Sequence, residues 1–427
     1  MRAAACLVLL TLLSAKGGAA TIDHVDRHML ELARAETGEV IQLEGALLGA
    51  AVDGVVELER VLLRAPGASV YTIDADGRRE LDYPRRLAFR GQALDDAETR
   101  IGMLFDPIGM RLSGSLVSPA GLQALSLDGE RGWRVLARSA RDLLPAGVTL
   151  EQQCGNLELD QSDRAPAYAP EPLAGALPSS RGSLRYGILA LDTDVQWLQN
   201  RFGGDEVAAA EWLEELLVVT NSLFEAQLNL RMLQGDTFLR VSSDPYTVES
   251  SGASGSHLTE FGTYWQNNYP GVTRTHAALV SGNSSSGFSA SGIAWVNSYC
   301  RNQSSGGSYS INQLFWNSGV PVSASARLFA HELGHNLGSV HTHCYDPPID
   351  QCYAQEQGCY SGATSCPSEG SGTLMSYCNF GSGCGTANRL ELAPDVASVL
   401  NQAVAANTPS CLSGDIPVIY ADRFELN

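Results

Sequence analysis

The densest concentration of reactive side chains in this 427-residue chain is His331-Glu332-Leu333-Gly334-His335-Asn336-Leu337-Gly338-Ser339-Val340-His341. It continues Ser323-Ala324-Ser325-Ala326-Arg327-Leu328-Phe329-Ala330, a run without Pro or Gly that favours helix. On a helix, His331 and His335 are i,i+4 neighbours with Cβ atoms roughly 5–6 Å apart. Both imidazoles can then reach one Zn²⁺ at about 2.0–2.1 Å. Glu332 lies about 100° round the helix, off the ligand position, where it can hold a water as general base. A continuing helix would carry residue 341 away. Gly338 can take positive φ and turn the chain back, so that His341 completes a three-histidine site. Three protein ligands with a fourth position open mark a catalytic rather than a structural zinc. Such a metal lowers the pKa of water to about 7 and polarises a scissile carbonyl.

The spacing is specific. The first two histidines with the intervening Glu arise by chance in roughly one chain in a hundred of this length, at average residue usage. Adding Gly338 and His341 at fixed offsets lowers that by a factor on the order of a thousand. Downstream, Ser371-Gly372-Thr373-Leu374-Met375-Ser376-Tyr377 puts a methionine among small residues. A Met alone usually fills core; here it follows a long zinc motif.

With Phe329-Ala330-His331-Glu332-Leu333-Gly334-His335-Asn336-Leu337-Gly338 and Gly372-Thr373-Leu374-Met375-Ser376-Tyr377-Cys378 in place, residues 186–411 resemble the metzincin metalloproteases. Within them they resemble the reprolysin (adamalysin) branch, particularly its secreted microbial members. The resemblance implies an α/β (α+β) catalytic domain with a mixed sheet and an active-site helix. It implies endopeptidase activity on protein or peptide substrates, one catalytic Zn²⁺ on His331, His335 and His341, and Glu332 as base and proton shuttle. Met375 would form a floor under the metal. Gly292, Ile293 and Ala294, in Gly292-Ile293-Ala294-Trp295-Val296, would belong to the edge strand that pairs with substrate backbone. Tyr377 matches a position where some other metzincins place a tyrosine near zinc; it either contacts the metal or transition state, or packs.

Two positions depart from the family pattern. Thr342 follows the third His, where animal members usually carry Asp. Residues 186–191 show no acidic residue of the kind the family's first strand gives to a calcium site, which leaves Ca²⁺ open. His343 has the wrong offset for the motif and reads as a loop histidine.

Export is expected. Met1-Arg2, an apolar run over residues 3–13 and small residues up to Ala20 follow the secretory signal pattern. That run is too short to cross a bilayer, and no later one reaches roughly 18 residues. Of ten cysteines, Cys6 leaves with the signal. Eight fall after residue 299 and read as four disulfides of open connectivity. Cys154 is left over. Relatives silence their zymogens with a propeptide cysteine in the fourth zinc position, and Cys154 is expected to do so here; the alternative is a buried unpaired thiol.

The elements that must position these residues fall into two halves. From about residue 39 to 138, short period-two apolar runs bounded by turns suggest a mainly β domain. Residues 165–185 carry Pro166, Pro170, Pro172 and Pro178 and read as a cleavable linker. Beyond it come strand candidates at 186–191, 228–232 and 275–280, a helix capped by Asp205 with Trp212, Leu216, Val219 and Leu223 at helical spacing, and Ser/Gly loops at 281–291 and 304–310. The expected order is a signal at 1–20, a pro-domain at 21–185, a catalytic domain at 186–413 and a short tail at 414–427. Lys and Arg number 28 against 47 Asp and Glu, a net charge of −19. That argues against nucleic acid and anionic lipid as partners. The imbalance is uneven, with 20 basic against 25 acidic residues up to 185 and 8 against 22 after it. The reading is a secreted bacterial zinc endopeptidase made as a zymogen and acting as a monomer. The rivals are a non-catalytic adhesion or toxin-type binding protein on the same fold, which the intact Glu332 disfavours, and a purely structural zinc protein, which the open fourth position disfavours.

Overall fold

The computed structural model describes residues 24–48, 52, 54–96, 98–118, 121–127, 135–139, 152–154, 184–248, 252–283, 290–314, 322–368, 370–379, 384 and 388–414. The expected signal segment, nearly all of the linker and the tail beyond Gly414 lie outside the described residues.

The N-terminal half opens with α1 (His24–Arg34). It continues through β1 (Val40–Glu44), β2 (Val55–Val61), β3 (Val70–Asp74), β4 (Gly77–Glu80), β5 (Leu87–Ala93), β6 (Arg100–Asp106), β7 (Arg111–Ser118), β8 (Gly121–Leu127) and β9 (Val135–Ser139), then β10 (Gln152–Cys154). Alternation makes the strands: Ile41 and Leu43 are buried between exposed Val40, Gln42 and Glu44. Seven of them form an antiparallel sheet in the order β1-β2-β5-β6-β7-β8-β9. This is the mainly β region expected.

The second half runs β11 (Arg185–Thr193), α2 (Val195–Phe202), α3 (Glu206–Leu228), β12 (Leu230–Arg240), α4 (Gly255–Asn268), β13 (His276–Ser281), β14 (Ala290–Ala294), β15 (Tyr309–Leu314), α5 (Val322–Asn336) and α6 (Pro394–Ala406). Its strands lie in a mixed eight-stranded sheet, order β10-β14-β15-β13-β11-β12-β3-β4. β12, β11, β13 and β15 run parallel and β14 antiparallel to them. The composition shift at the linker suggested two separate units, yet the sheet is shared. The β3–β4 hairpin extends it beyond β12, with Val70 opposite Thr237, and β10 extends it beyond β14. Each covers an edge that would otherwise present unpaired backbone N–H and C=O groups.

Strand limits shift where backbone pairing overrides composition. Leu228 still belongs to α3, which Asn229 ends at φ 48°, so β12 begins at Leu230. The Ser/Gly stretches expected as loops give Ala290 and Ser291 to β14, and Tyr309 and Ser310 to β15, because ladder partners outweigh weak strand propensity.

Helix α3 lies between the two sheets, against β6 and β7 on one side and β12 and α5 on the other. Asp205 caps it, accepting from the Ala208 amide at 3.0 Å. Trp212, Leu216, Val219 and Leu223 are buried among residues that run all round it, as a helix covered on both faces requires. Toward the N-terminal sheet its acids meet arginines: Glu211 with Arg111 at 2.6 Å, Glu214 with Arg86 at 3.0 Å and Glu225 with Arg90 at 2.9 Å. The charge contrast between the halves is thus matched by ion pairs along this helix.

The eight late cysteines pair as Cys300–Cys411, Cys344–Cys359, Cys352–Cys378 and Cys366–Cys384. Three of these bonds staple the segment between α5 and α6, which has no long helix or strand among its described residues. No helix among the described residues is long and apolar enough to cross a membrane.

Candidate active site

Leu328, Phe329 and Leu333 anchor α5 in the core that it shares with α3, which orients His331 and His335 on the helix's other side. The helix ends where the sequence places Gly338, at φ 111°. The chain then turns and presents His341 in extended conformation, φ −63° and ψ 151°. Asn336, which the sequence reading passed over, clamps this end. Its amide donates to the Trp295 carbonyl at 2.7 Å and the Tyr309 carbonyl at 3.2 Å, tying α5 to the segment after β14 and to β15.

The three imidazoles converge. Ring centroids lie 4.7 Å apart for His331 and His335, 4.7 Å for His335 and His341, and 5.3 Å for His331 and His341. Each Nδ1 has a partner pointing away from the centre: the Leu374 carbonyl for His331 at 2.8 Å, the Ser339 carbonyl for His335 at 2.7 Å and the Glu356 carboxylate for His341 at 2.7 Å. Carbonyls and carboxylates only accept, so each Nδ1 carries the proton and each Nε2 a lone pair. The Nε2 atoms of His331 and His335 nevertheless stand 3.0 Å apart, and the His341 Nε2 is buried with no hydrogen-bond partner. Lone pairs facing at that distance repel unless a cation lies between them. The residues therefore fit a metal, and these three histidines are the ones that could hold it (their ligand atoms lie within 4.8 Å of one another). Burial, reinforced by His341, pushes His331 down to about 3; burial with both neighbouring histidines drives His335 well below the ordinary range. Both favour the neutral imidazole that a metal requires.

Glu332 is fully buried and lies against β14. A Cβ added to Gly292 would come within 2.3 Å of Glu332 Oε1, so only glycine lets the strand approach this carboxylate. Ile293 and Ala294 are buried beside it. On the far side of β14, β10 runs parallel with Cys154 in register with Gly292; the Cys154 side chain lies outside what is described. Met375 sits beneath α5, where a Cβ on Gly334 would meet its Sδ at 2.6 Å, a close approach that accounts for Gly334 between the histidines. Its carbonyl accepts from the Thr342 amide at 3.0 Å, and the Thr342 hydroxyl donates to Asp350. Tyr377 is 3% exposed, its ring 4.1 Å from that of His341, with Tyr353 edge-on at 5.1 Å.

Three expectations need correcting or extending. His343 is no loose loop histidine: it is buried, and its Nε2 meets Glu356 at 2.9 Å. Glu356 was missed because its distance along the chain hides its contact with His341. The first strand does carry an acid, Asp192, one place beyond residues 186–191; it is buried and paired with Arg240 at 2.7 and 2.8 Å.

A helix-borne histidine pair, a third histidine after a glycine turn and a methionine below define a metal-dependent peptidase centre. Residues 185–389 match the family described as Metallo-peptidase family M12 (Reprolysin_5), and this part of the chain is similar to the reprolysin branch of the metzincin metallopeptidases, which supports a peptidase hydrolase. The chain is similar to metalloproteinase-II from Bacteroides fragilis in its crystal structure, at 12% identity and TM-score 0.43, over 89% of this chain and 96% of that one. It is also similar to a chain in the structure of a chaperone-substrate complex, at 13% identity and TM-score 0.32, over 71% and 43%. A search of curated proteins finds no match.

Proposed function

We propose that this protein is an exported zinc endopeptidase made as a latent precursor, with residues 21–185 as pro-segment and 186–413 as catalytic domain. The observation that carries the reading is the set of three imidazoles, each anchored at Nδ1, with ligand atoms within 4.8 Å of one another. A zinc ion held there supplies Lewis acidity, polarising the scissile carbonyl and lowering the pKa of water to about 7. Glu332 accepts the proton of the attacking water and passes it to the departing amine nitrogen, so the proton count closes. β14 aligns the substrate by strand addition, and Gly292 lets that strand reach Glu332. Met375 supports the site from below, and the Tyr377 ring holds that of His341 in place. β10 occupies the edge of β14, and in the precursor Cys154 would hold the metal through its thiolate. The four disulfides and the short apolar N-terminus support export.

Metal removal tests this reading. A chelator should abolish hydrolysis of a casein-like substrate while near-UV circular dichroism stays folded, since the disulfides and apolar core stand without the ion. Coincident unfolding would indicate a structural metal, and full activity of the metal-free protein would sink the proposal.

Gly292→Ala probes the approach of β14 to the base. The new Cβ would crowd Glu332 Oε1, and a displacement on the order of 1 Å costs about 10²-fold in kcat/KM. Zinc content should be unchanged. Wild-type turnover would show that the placement of Glu332 against this strand does not matter.

A further inference from the structure

We propose that Glu356 is a positioning residue for the third metal ligand, and that His343 serves as its anchor. The inference rests on the zinc peptidase reading above and adds to it what prepares the site to take the metal. Glu356 is 6% exposed and lies well outside the zinc motif. One of its oxygens, Oε2, accepts from His341 Nδ1 at 2.7 Å and from His343 Nε2 at 2.9 Å. The two rings stack nearly parallel, 5.5 Å between centroids and 6° between planes.

A carboxylate sharing one oxygen between two ring N–H groups does two things. It selects the Nδ1–H tautomer of His341, which leaves the Nε2 lone pair on the side where the other two histidines converge. It also places a full negative charge behind that ligand, making the imidazole a stronger donor. Behind the other two ligands stand backbone carbonyls, those of Leu374 and Ser339. His341 therefore carries the charge-assisted bond, roughly twice as strong as a neutral one. That suits the ligand reached through a turn rather than held on the helix.

His343 explains how the carboxylate is kept in place. It is buried, too far along the chain to act as the third ligand of the motif, and its ring holds the same oxygen from the other side. The Cys344–Cys359 disulfide closes the loop that carries Glu356 next to His343. Just outside it the Tyr360 amide donates to the His343 carbonyl at 3.0 Å.

The experiment uses the full chain and reads zinc rather than turnover. Zinc affinity of Glu356→Ala, Glu356→Gln and His343→Ala is measured by competition with a chromophoric chelator. The His341 tautomer is read by nitrogen-15 NMR of the histidine-labelled, zinc-free protein. Glu356→Ala should weaken zinc binding about 10–100-fold and let His341 populate the Nε2–H tautomer. Glu356→Gln, nearly isosteric and the variant to rely on if alanine does not fold, should lose several-fold by the same measure, and His343→Ala should move in the same direction. Folded Glu356 variants with wild-type zinc affinity and an unchanged tautomer would overturn the inference alone. A wild-type chain that takes up no zinc would overturn the zinc reading and this inference with it.

Discussion

Glu332→Gln is expected to keep its zinc and to lose about 10²–10⁴-fold in kcat/KM on a casein-like substrate, the usual worth of a positioned general base. The amide has nearly the shape of the carboxylate, so the buried site around it need not rearrange. It lacks the basic oxygen that, in the proposed mechanism, takes a proton from the attacking water. On the proposed ligand set the three histidines would hold the metal without it, so zinc measured by atomic absorption should stay at one per chain. Wild-type turnover in the zinc-loaded variant would refute the mechanism, and loss of zinc together with activity would recast Glu332 as a ligand.

Cys154→Ala should give a precursor that hydrolyses substrate before any processing. A block that leaves about 1% of molecules open corresponds to a bias of about 2.7 kcal/mol, so removing it should raise precursor activity about a hundredfold. The register of Cys154 with Gly292 motivates the assignment, since Gly292 is the residue that lies against Glu332. The readout is activity of the intact precursor, checked by gel and by N-terminal sequencing for absence of cleavage. A variant as silent as wild type would mean that strand β10, by covering the edge of β14, maintains latency without the thiol. Spectra of the cobalt-substituted precursor distinguish the cases independently, because a thiolate ligand adds a charge-transfer band that Cys154→Ala must lose.

Much of this site is local in origin and so legible from the chain. His331 and His335 share a face because a helix repeats every 3.6 residues, and nothing in residues 323–330 interrupts it. Gly338 announces the turn because positive φ is cheap only for glycine. The period-two runs before residue 139 mark the β region, and Asp205 caps the helix it precedes. His343 and Glu356 were misread or missed because neither carries a local signal: what joins them to His341 is a loop folded back and closed by a disulfide. Asn336 escaped notice for the same reason, its partners being carbonyls of Trp295 and Tyr309.

By itself the chain pointed to the proposed ligand set, base and methionine turn and to the family resemblance, since each depends on residue types at short, fixed separations. Tertiary structure alone decided which cysteines pair, which groups stand behind each histidine, and that segments from the N-terminal half complete both edges of the catalytic sheet. Those choices depend on which distant backbones meet. Hydrogen-bonding edges are alike in every strand, so partners are selected by packing summed over the whole fold rather than by any short stretch of it.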